Sequence, residues 1–190
     1  MKLFVIGNPV KHSKSPKIHN LWLKKSNEKV IYEKKLLSEQ QLNLIVEKVR
    51  NQECLGFNVT LPFKTKILKF LDQYEDNVKK IKAVNTVYIK EDKVIGANTD
   101  GEGLIQSLKN EAKMNLNNIK VFVFGAGGAS RGILFELTKL PVKEICICNR
   151  SFKNAKQLQS DLSLSSGTCK IKLQKWQKKS ISEQYNLIIN

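Results

Sequence analysis

The chain has 190 residues, 41% of them hydrophobic, and its 33 lysines and arginines against 17 aspartates and glutamates give a formal charge of +16. That length and apolar content allow real cores in one large or two small domains. The charge does not make a nucleic-acid binder: only Arg50, Arg131 and Arg150 are arginine and the lysines run the whole length, whereas nucleic-acid surfaces gather charge in a stripe interleaved with aromatics.

Lys2 to Gly7 reads as a buried first strand, and its apolar run, Leu3 to Ile6, is too short for a signal-peptide core or a membrane span. A cytoplasmic protein with no membrane partner is expected, and Cys54, Cys146, Cys148 and Cys169 fit that compartment as reduced thiols. Cys146 and Cys148 lie two apart on a strand and read as packing; no metal is expected. Ser15 before Pro16 is a helix start, serine as N-cap and proline first in the helix, with the helix running to about Lys25. Ser13 is left over, in a polar loop at the end of a buried strand, where open α/β sheets bind ligands. His12 and His19 have no third ligand or nucleophile near them and stay unassigned.

A strand near Val30 to Lys34 precedes the capping-box pattern Ser38 to Gln41, which opens a helix with Leu42, Ile45, Val46 and Val49 on its inner face. In the stretch Cys54 to Lys64, Asn58 is a poor strand former inside an apolar run, and Thr60 follows it on the same face. Pro62 is expected to start a helix, placing Lys64 and Lys66 in a first turn where the dipole disfavours cations. That position suits a lysine that exchanges a proton; on the residues alone, Lys64 reads equally as a catalytic group or as a solvated side chain.

A helix over Asp72 to Lys82 leads to a strand from Ala83 to Tyr88, in which Asn85 is either a site amide or an internally satisfied one. A hairpin turn at Lys90 to Lys93 joins it to a strand from Val94. Asp100 is either the N-cap of a helix from about Gly101 to Lys113 or a site carboxylate. The loop Asn115 to Asn118 is the expected boundary, giving domains 1–114 and 115–190.

Val121 to Phe124 reads as a strand buried on both faces, followed by Gly125, Ala126, Gly127, Gly128, Ala129 and Ser130 at the start of a helix. Gly125 would make the tight turn and Gly127 would let the backbone approach a pyrophosphate held by helix N–H groups; Ser130 stands where the usual fingerprint has glycine or alanine. A second strand, Lys143 to Cys148, ends in Asn149, Arg150 and Ser151. A site for NAD would carry an acid there, about 20 residues on, to accept from the ribose 2'-hydroxyl. No acid is present; Arg150, with Ser151 and Lys153, suits a 2'-phosphate, so NADP is the expected cofactor.

HSKSP, NVTLPFK, AVNT, NTDGEG, GAGGASRG and NRS stand in the order and approximate spacing of shikimate dehydrogenases, and the chain resembles that family along its whole length. The resemblance implies an α/β protein, an N-terminal α/β substrate-binding domain followed by a Rossmann-like NADP-binding domain. It implies that Ser13 and Ser15 bond the carboxylate of shikimate, that Asn58, Thr60, Asn85 and Asp100 hold ring hydroxyls, and that Lys64 and Asp100 form a catalytic pair. It implies a cofactor site at Gly125 to Ser130, Asn149, Arg150, Ser151 and Lys153. The expected partners are shikimate and 3-dehydroshikimate, with a monomer or homodimer as the assembly.

Two departures stand out. The family often has a second arginine where Asn154 stands, which weakens the case for strict NADP use. The chain ends at Asn190 in what reads as a further buried strand from Asn186, so the family's C-terminal part is expected to be missing. The alternatives are a quinate/shikimate dehydrogenase using NAD, and a non-catalytic basic α/β binding protein of the same fold.

Overall fold

In a computed structural model, which describes residues 2–163, 169–176 and 184–190, the alternation of apolar runs and amphipathic stretches becomes two units, residues 1–98 and 99–190. The first contains β1 (Lys2–Gly7), α1 (Ser15–Lys25), β2 (Ile31–Leu36), α2 (Leu42–Arg50), β3 (Gly56–Val59), β4 (Gln73–Tyr74), α3 (Asp76–Ile81), β5 (Thr86–Lys90) and β6 (Lys93–Ala97). They build a six-stranded sheet in the order β2-β1-β3-β5-β6-β4. Strands β1, β2 and β3 run parallel, whereas β5 runs antiparallel to β3 and β6. The carboxyl ends of β1 and β3 therefore lie at the same end of the sheet as the amino end of β5.

Strand alternation sorts the side chains. Ile6, Phe57 and Val59 join Leu42, Ile45, Val46 and Val49 of α2 in the main core. Burying each such side chain is worth roughly 1.5–3 kcal/mol. On the other face Val5 and Tyr32 pack with Val10 and Leu23. The hairpin between β5 and β6 turns at Glu91 and Asp92, both at positive φ, as a two-residue turn of primed type requires.

Four local expectations change. Ser15 is not an N-cap: Lys14 holds that position, and the hydroxyl of Ser13 accepts the Ser15 N–H at 3.3 Å. Pro62 starts no helix; Phe63 N–H bonds Thr60 O at 3.0 Å in a tight turn, and only a short 3-10 segment, Ile67–Phe70, follows. The dipole argument for Lys64 therefore has no helix to rest on. The expected helix over 72–82 shortens to α3, because Gln73 and Tyr74 pair with Ile95 and Gly96. Thr99, rather than Asp100, is the N-cap of the next helix.

The second unit contains α4 (Asp100–Asn110), β7 (Lys120–Phe124), α5 (Gly128–Thr138), β8 (Glu144–Asn149), α6 (Phe152–Ser163), β9 (Lys170–Lys175) and β10 (Leu187–Ile189). Its sheet is wholly parallel in the order β10-β7-β8-β9. Val121, Phe122 and Val123 are buried, as are Ile145 to Cys148, which is how apolar runs in a doubly covered parallel sheet read. The last strand differs: β10 sits at the sheet edge and Ile188 is 54% exposed, so it is not the buried strand expected.

The units meet between Asn98 and Thr99 rather than near residue 115. Helix α4 packs on α5 closely enough that a Cβ on Gly101 would stand 2.2 Å from the Gly132 carbonyl oxygen, and this groups α4 with the second unit.

Candidate functional site

The polar residues singled out in the first unit share the sheet end where β1 and β3 finish and β5 begins. Gly7 closes β1, and a Cβ there would come within 2.4 Å of Thr60 Cγ2, so the glycine lets the loop after β3 lie against the end of β1. Two backbone bonds fix that approach, Thr60 N–H to Ile6 O at 2.9 Å and Asn8 N–H to Leu61 O at 3.0 Å. The hydroxyls of Ser13 and Ser15 lie 3.1 Å apart, pairing two small polar groups at the head of α1.

Asn58 is more engaged than a free site amide. Its Oδ1 accepts the Tyr32 hydroxyl at 2.6 Å, while its Nδ2 donates to Asn85 O at 3.2 Å and to Thr86 Oγ1 at 3.0 Å. The Thr86 hydroxyl in turn donates to Asn85 Oδ1 at 2.9 Å. Asn58 and Asn85 are thus brought together in one network, and an amide oxygen has a second lone pair beyond the one that accepts from Tyr32. The backbone of Lys64 is fixed beside them, its carbonyl accepting Val84 N–H at 2.7 Å and the adjacent Phe63 buried as an anchor. Lys66 pairs with Glu39.

The second unit carries the glycine turn. Gly125 has φ +105, a conformation open to glycine and strained for other residues. A Cβ on Gly127 would meet nothing within 4 Å, so the space beside it is open to something outside the chain. The first intrahelical bond of α5 joins Arg131 N–H to Gly127 O, and no side chain caps the helix. The N–H groups of Gly128, Ala129 and Ser130 therefore precede any intrahelical partner, the arrangement that holds an anion. The order β9-β8-β7 reverses at β10, and ligands of open parallel sheets bind at such a reversal. These features fit the pyrophosphate of a dinucleotide.

Asn149 has a role that the sequence reading did not see. Its Oδ1 accepts Ala126 N–H at 3.2 Å and its Nδ2 donates to Ser151 O at 2.8 Å, tying the glycine turn to the loop after β8. Ala126 N–H is therefore occupied within the chain. Ser151 caps α6 through its hydroxyl and carbonyl, which accept the N–H groups of Asn154 and Ala155. Arg150 and Lys153 lie exposed on either side of it.

Asp100 is the first residue of α4, half-buried, in the second unit. Just ahead of it the buried Asn98 donates to Ala83 O at 2.9 Å and accepts from Asn77 Nδ2 at 3.0 Å. His19 stacks on Tyr32 with ring centroids 4.2 Å apart, and His12 is exposed. Tyr32 and Asn98 carried no local signal; only a register could have shown that Tyr32 reaches Asn58. Among the described residues no group of three or more His, Cys, Asp or Glu could hold a metal ion, and no helix is long and apolar enough to cross a membrane. All four cysteines are buried and none is in a disulfide.

Residues 5–87 match the family model of the shikimate dehydrogenase substrate binding domain, and residues 106–189 match that of shikimate / quinate 5-dehydrogenase. A shikimate dehydrogenase (NADP(+)) of Pelagibacter ubique is 39% identical over 82% of this chain and 58% of its own. One from Vesicomyosocius okutanii is 38% identical over 100% of this chain and 69% of its own. A crystal structure of a shikimate dehydrogenase in complex with NADP+ superposes with a TM-score of 0.81 at 33% identity, covering 90% of this chain and 61% of that one. The Thermus thermophilus shikimate 5-dehydrogenase in complex with shikimate gives 0.80 at 30% identity, covering 92% and 63%. The chain thus spans roughly three fifths of the length of most of these proteins.

Proposed function

We propose a function from one premise: the chain belongs to the shikimate dehydrogenase family. On that premise it is an NADP-dependent shikimate dehydrogenase, which reduces 3-dehydroshikimate reversibly to shikimate. The observation that carries this reading is the gathering of Ser13, Ser15, Asn58, Thr60, Lys64 and Asn85 at one sheet end, a hydroxyl, amide and ammonium set suited to a polyhydroxylated carboxylate.

In this reading the Ser13 and Ser15 hydroxyls donate to the substrate carboxylate. Asn58 accepts a hydrogen bond from a ring hydroxyl through its remaining lone pair, and Thr60 and Asn85 hold further hydroxyls. A site built of such groups rejects analogues lacking a hydroxyl, because its polar atoms would be left unpaired. When bound, the reduced nicotinamide supplies the hydride received by the ketone carbon. The Lys64 ammonium stabilises the charge that develops on the ketone oxygen and donates the proton, and Asp100 is the carboxylate assigned to the same reaction; in reverse the hydroxyl proton is accepted by these catalytic groups. The N–H groups of Gly128, Ala129 and Ser130 hold the pyrophosphate, with Gly125, Ala126 and Gly127 shaping the turn that admits it, and Arg150, Ser151 and Lys153 face the 2'-phosphate.

The test is oxidation of NADPH with 3-dehydroshikimate as acceptor, beside a thermal shift with shikimate alone. Turnover that prefers NADPH to NADH and a raised melting temperature are expected, and Lys64→Ala should cut kcat by about 10²–10⁴ while moving KM far less. No turnover together with no thermal shift, or near-normal turnover in Lys64→Ala, would overturn the corresponding part of the reading.

A further inference from the structure

Two lysines, Lys156 and Lys175, meet over the Phe152 ring, and two further cations, Arg150 and Lys153, flank that residue in the chain. Arg150 follows β8, Lys153 and Lys156 lie in the first turns of α6, and Lys175 ends β9. The register pairs Asn149 with Lys175, so β9 finishes beside the residue that anchors the glycine turn. The Lys156 and Lys175 ammonium groups sit 5.3 and 5.9 Å from the centroid of the same Phe152 ring. Phe152, Lys153 and Lys156 line one open hollow with Gln157 and Ser160.

Among the described residues none of these four cations is paired with a carboxylate, although ion pairs are common elsewhere in the chain. Lys172, three residues before Lys175 on the same strand, pairs with Glu144 at 2.8 Å. Gathering like charges without a counterion costs Coulomb energy, which an arriving anion offsets. The aromatic ring supports two of the ammonium groups without neutralising them. At position 154, meanwhile, stands an asparagine whose N–H is turned to Ser151 Oγ.

We propose that Lys156 and Lys175 are specificity-determining residues for the ribose 2'-phosphate, doing together the work of the arginine absent at position 154. This rests on the NADP reading above. Phe152 gathers both ammonium groups over one ring, and the pairing of Lys175 with Asn149 sets them beside the end of β8, where Arg150 supplies the bidentate contact.

The experiment measures Kd on the full 190-residue chain for adenosine 2',5'-bisphosphate and for 5'-AMP, which lacks the 2'-phosphate. Wild type is compared with Lys156→Ala, Lys175→Ala, Lys175→Arg, Arg150→Ala and, as a control for net charge, Lys48→Ala in the other unit. Each lysine-to-alanine change in the cluster should weaken the bisphosphate about fivefold and leave 5'-AMP within about twofold, in line with an exposed charge contact. Lys175→Arg should keep wild-type affinity, and Lys48→Ala should change neither ligand. Melting curves show that the variants fold. A bisphosphate preference unchanged in both lysine variants overturns the inference, whatever Arg150→Ala does. No preference in the wild type sinks the NADP reading itself, a result distinct from the first.

Discussion

The Tyr32 hydroxyl reaches across β1 to donate to Asn58 Oδ1 at 2.6 Å, from a ring that is 3% exposed and stacked on His19. A candidate site amide is thereby held by a residue 26 positions away. Tyr32→Phe removes the donor and leaves the half-buried oxygen short of a partner. The expected cost is about 1 kcal/mol, read as a lower urea midpoint at unchanged m, with weaker shikimate binding as Asn58 gains freedom to turn. Burial pushes the Tyr32 phenol up. A group raised in the folded state contributes fully below its unfolded pKa and loses that contribution as pH rises, so this one should stay constant up to about pH 10. An unchanged midpoint would show that water replaces the bond.

Gly101 and Gly103 lie two apart on α4 and make opposite predictions. A Cβ at Gly101 would stand 2.2 Å from Gly132 O and 2.7 Å from Glu136 Cγ, whereas one at Gly103 would meet nothing within 4 Å. The first contact is with backbone, which cannot rotate away. Gly101→Ala should therefore lose at least about 1–3 kcal/mol through overpacking. Gly103→Ala should gain up to about 1 kcal/mol from helix propensity and a less flexible unfolded chain. Thermal unfolding of the two variants decides this; equal melting temperatures would show that α4 does not hold its place on α5.

Asp72 supplies the pH dependence. Its Oδ2 accepts Val94 N–H at 2.8 Å and its Oδ1 accepts Arg50 Nη2 at 2.7 Å. The Val94 N–H, then Arg50, hold its carboxyl below the usual carboxylate range. A group depressed in the folded state adds stability above its unfolded pKa, near 4, and loses it as pH falls through the folded value. Asp72→Asn should thus cost about 1 kcal/mol at pH 7, with the gap to wild type closing below about pH 4. A gap that persists at pH 3 would assign the effect to shape rather than charge.

What the sequence disclosed was local. The run from Val121 to Arg131 carries its strand, its turn and its helix start in consecutive residues, and Gly125 at φ +105 is the turn expected there. Pro62 misled for the same local reason: a proline opening a helix and a proline in a turn look alike until Thr60 O accepts the Phe63 N–H. Gln73 and Tyr74 were lost to the helix pattern around them, since only their pairing with Ile95 and Gly96 makes them a strand. Tyr32 and Asn98 depend on partners far along the chain, and no spacing rule reaches them. The candidate residues were legible as types; their orientation by neighbours was not.

Asn149 tests the cofactor half independently of the substrate half. Its two bonds, from Ala126 N–H at 3.2 Å and to Ser151 O at 2.8 Å, close a bridge between the glycine turn and the cap of α6. Asn149→Ala opens the bridge, so the turn must be ordered again whenever a pyrophosphate binds. About tenfold weaker NADP binding is expected, with shikimate affinity unchanged, since no bond of Asn149 reaches the first unit among the described residues. Asn149→Asp keeps the acceptor for Ala126 but loses the donor to Ser151 and sets a negative charge beside the helix N–H groups proposed to hold the pyrophosphate. It should bind NADP more weakly than the alanine variant, with the difference between the two shrinking as salt rises. Equal NADP affinity in wild type and Asn149→Ala would mean that the turn keeps its shape unaided. Loss of shikimate binding in the same variant would mean that the bridge supports more than the cofactor half.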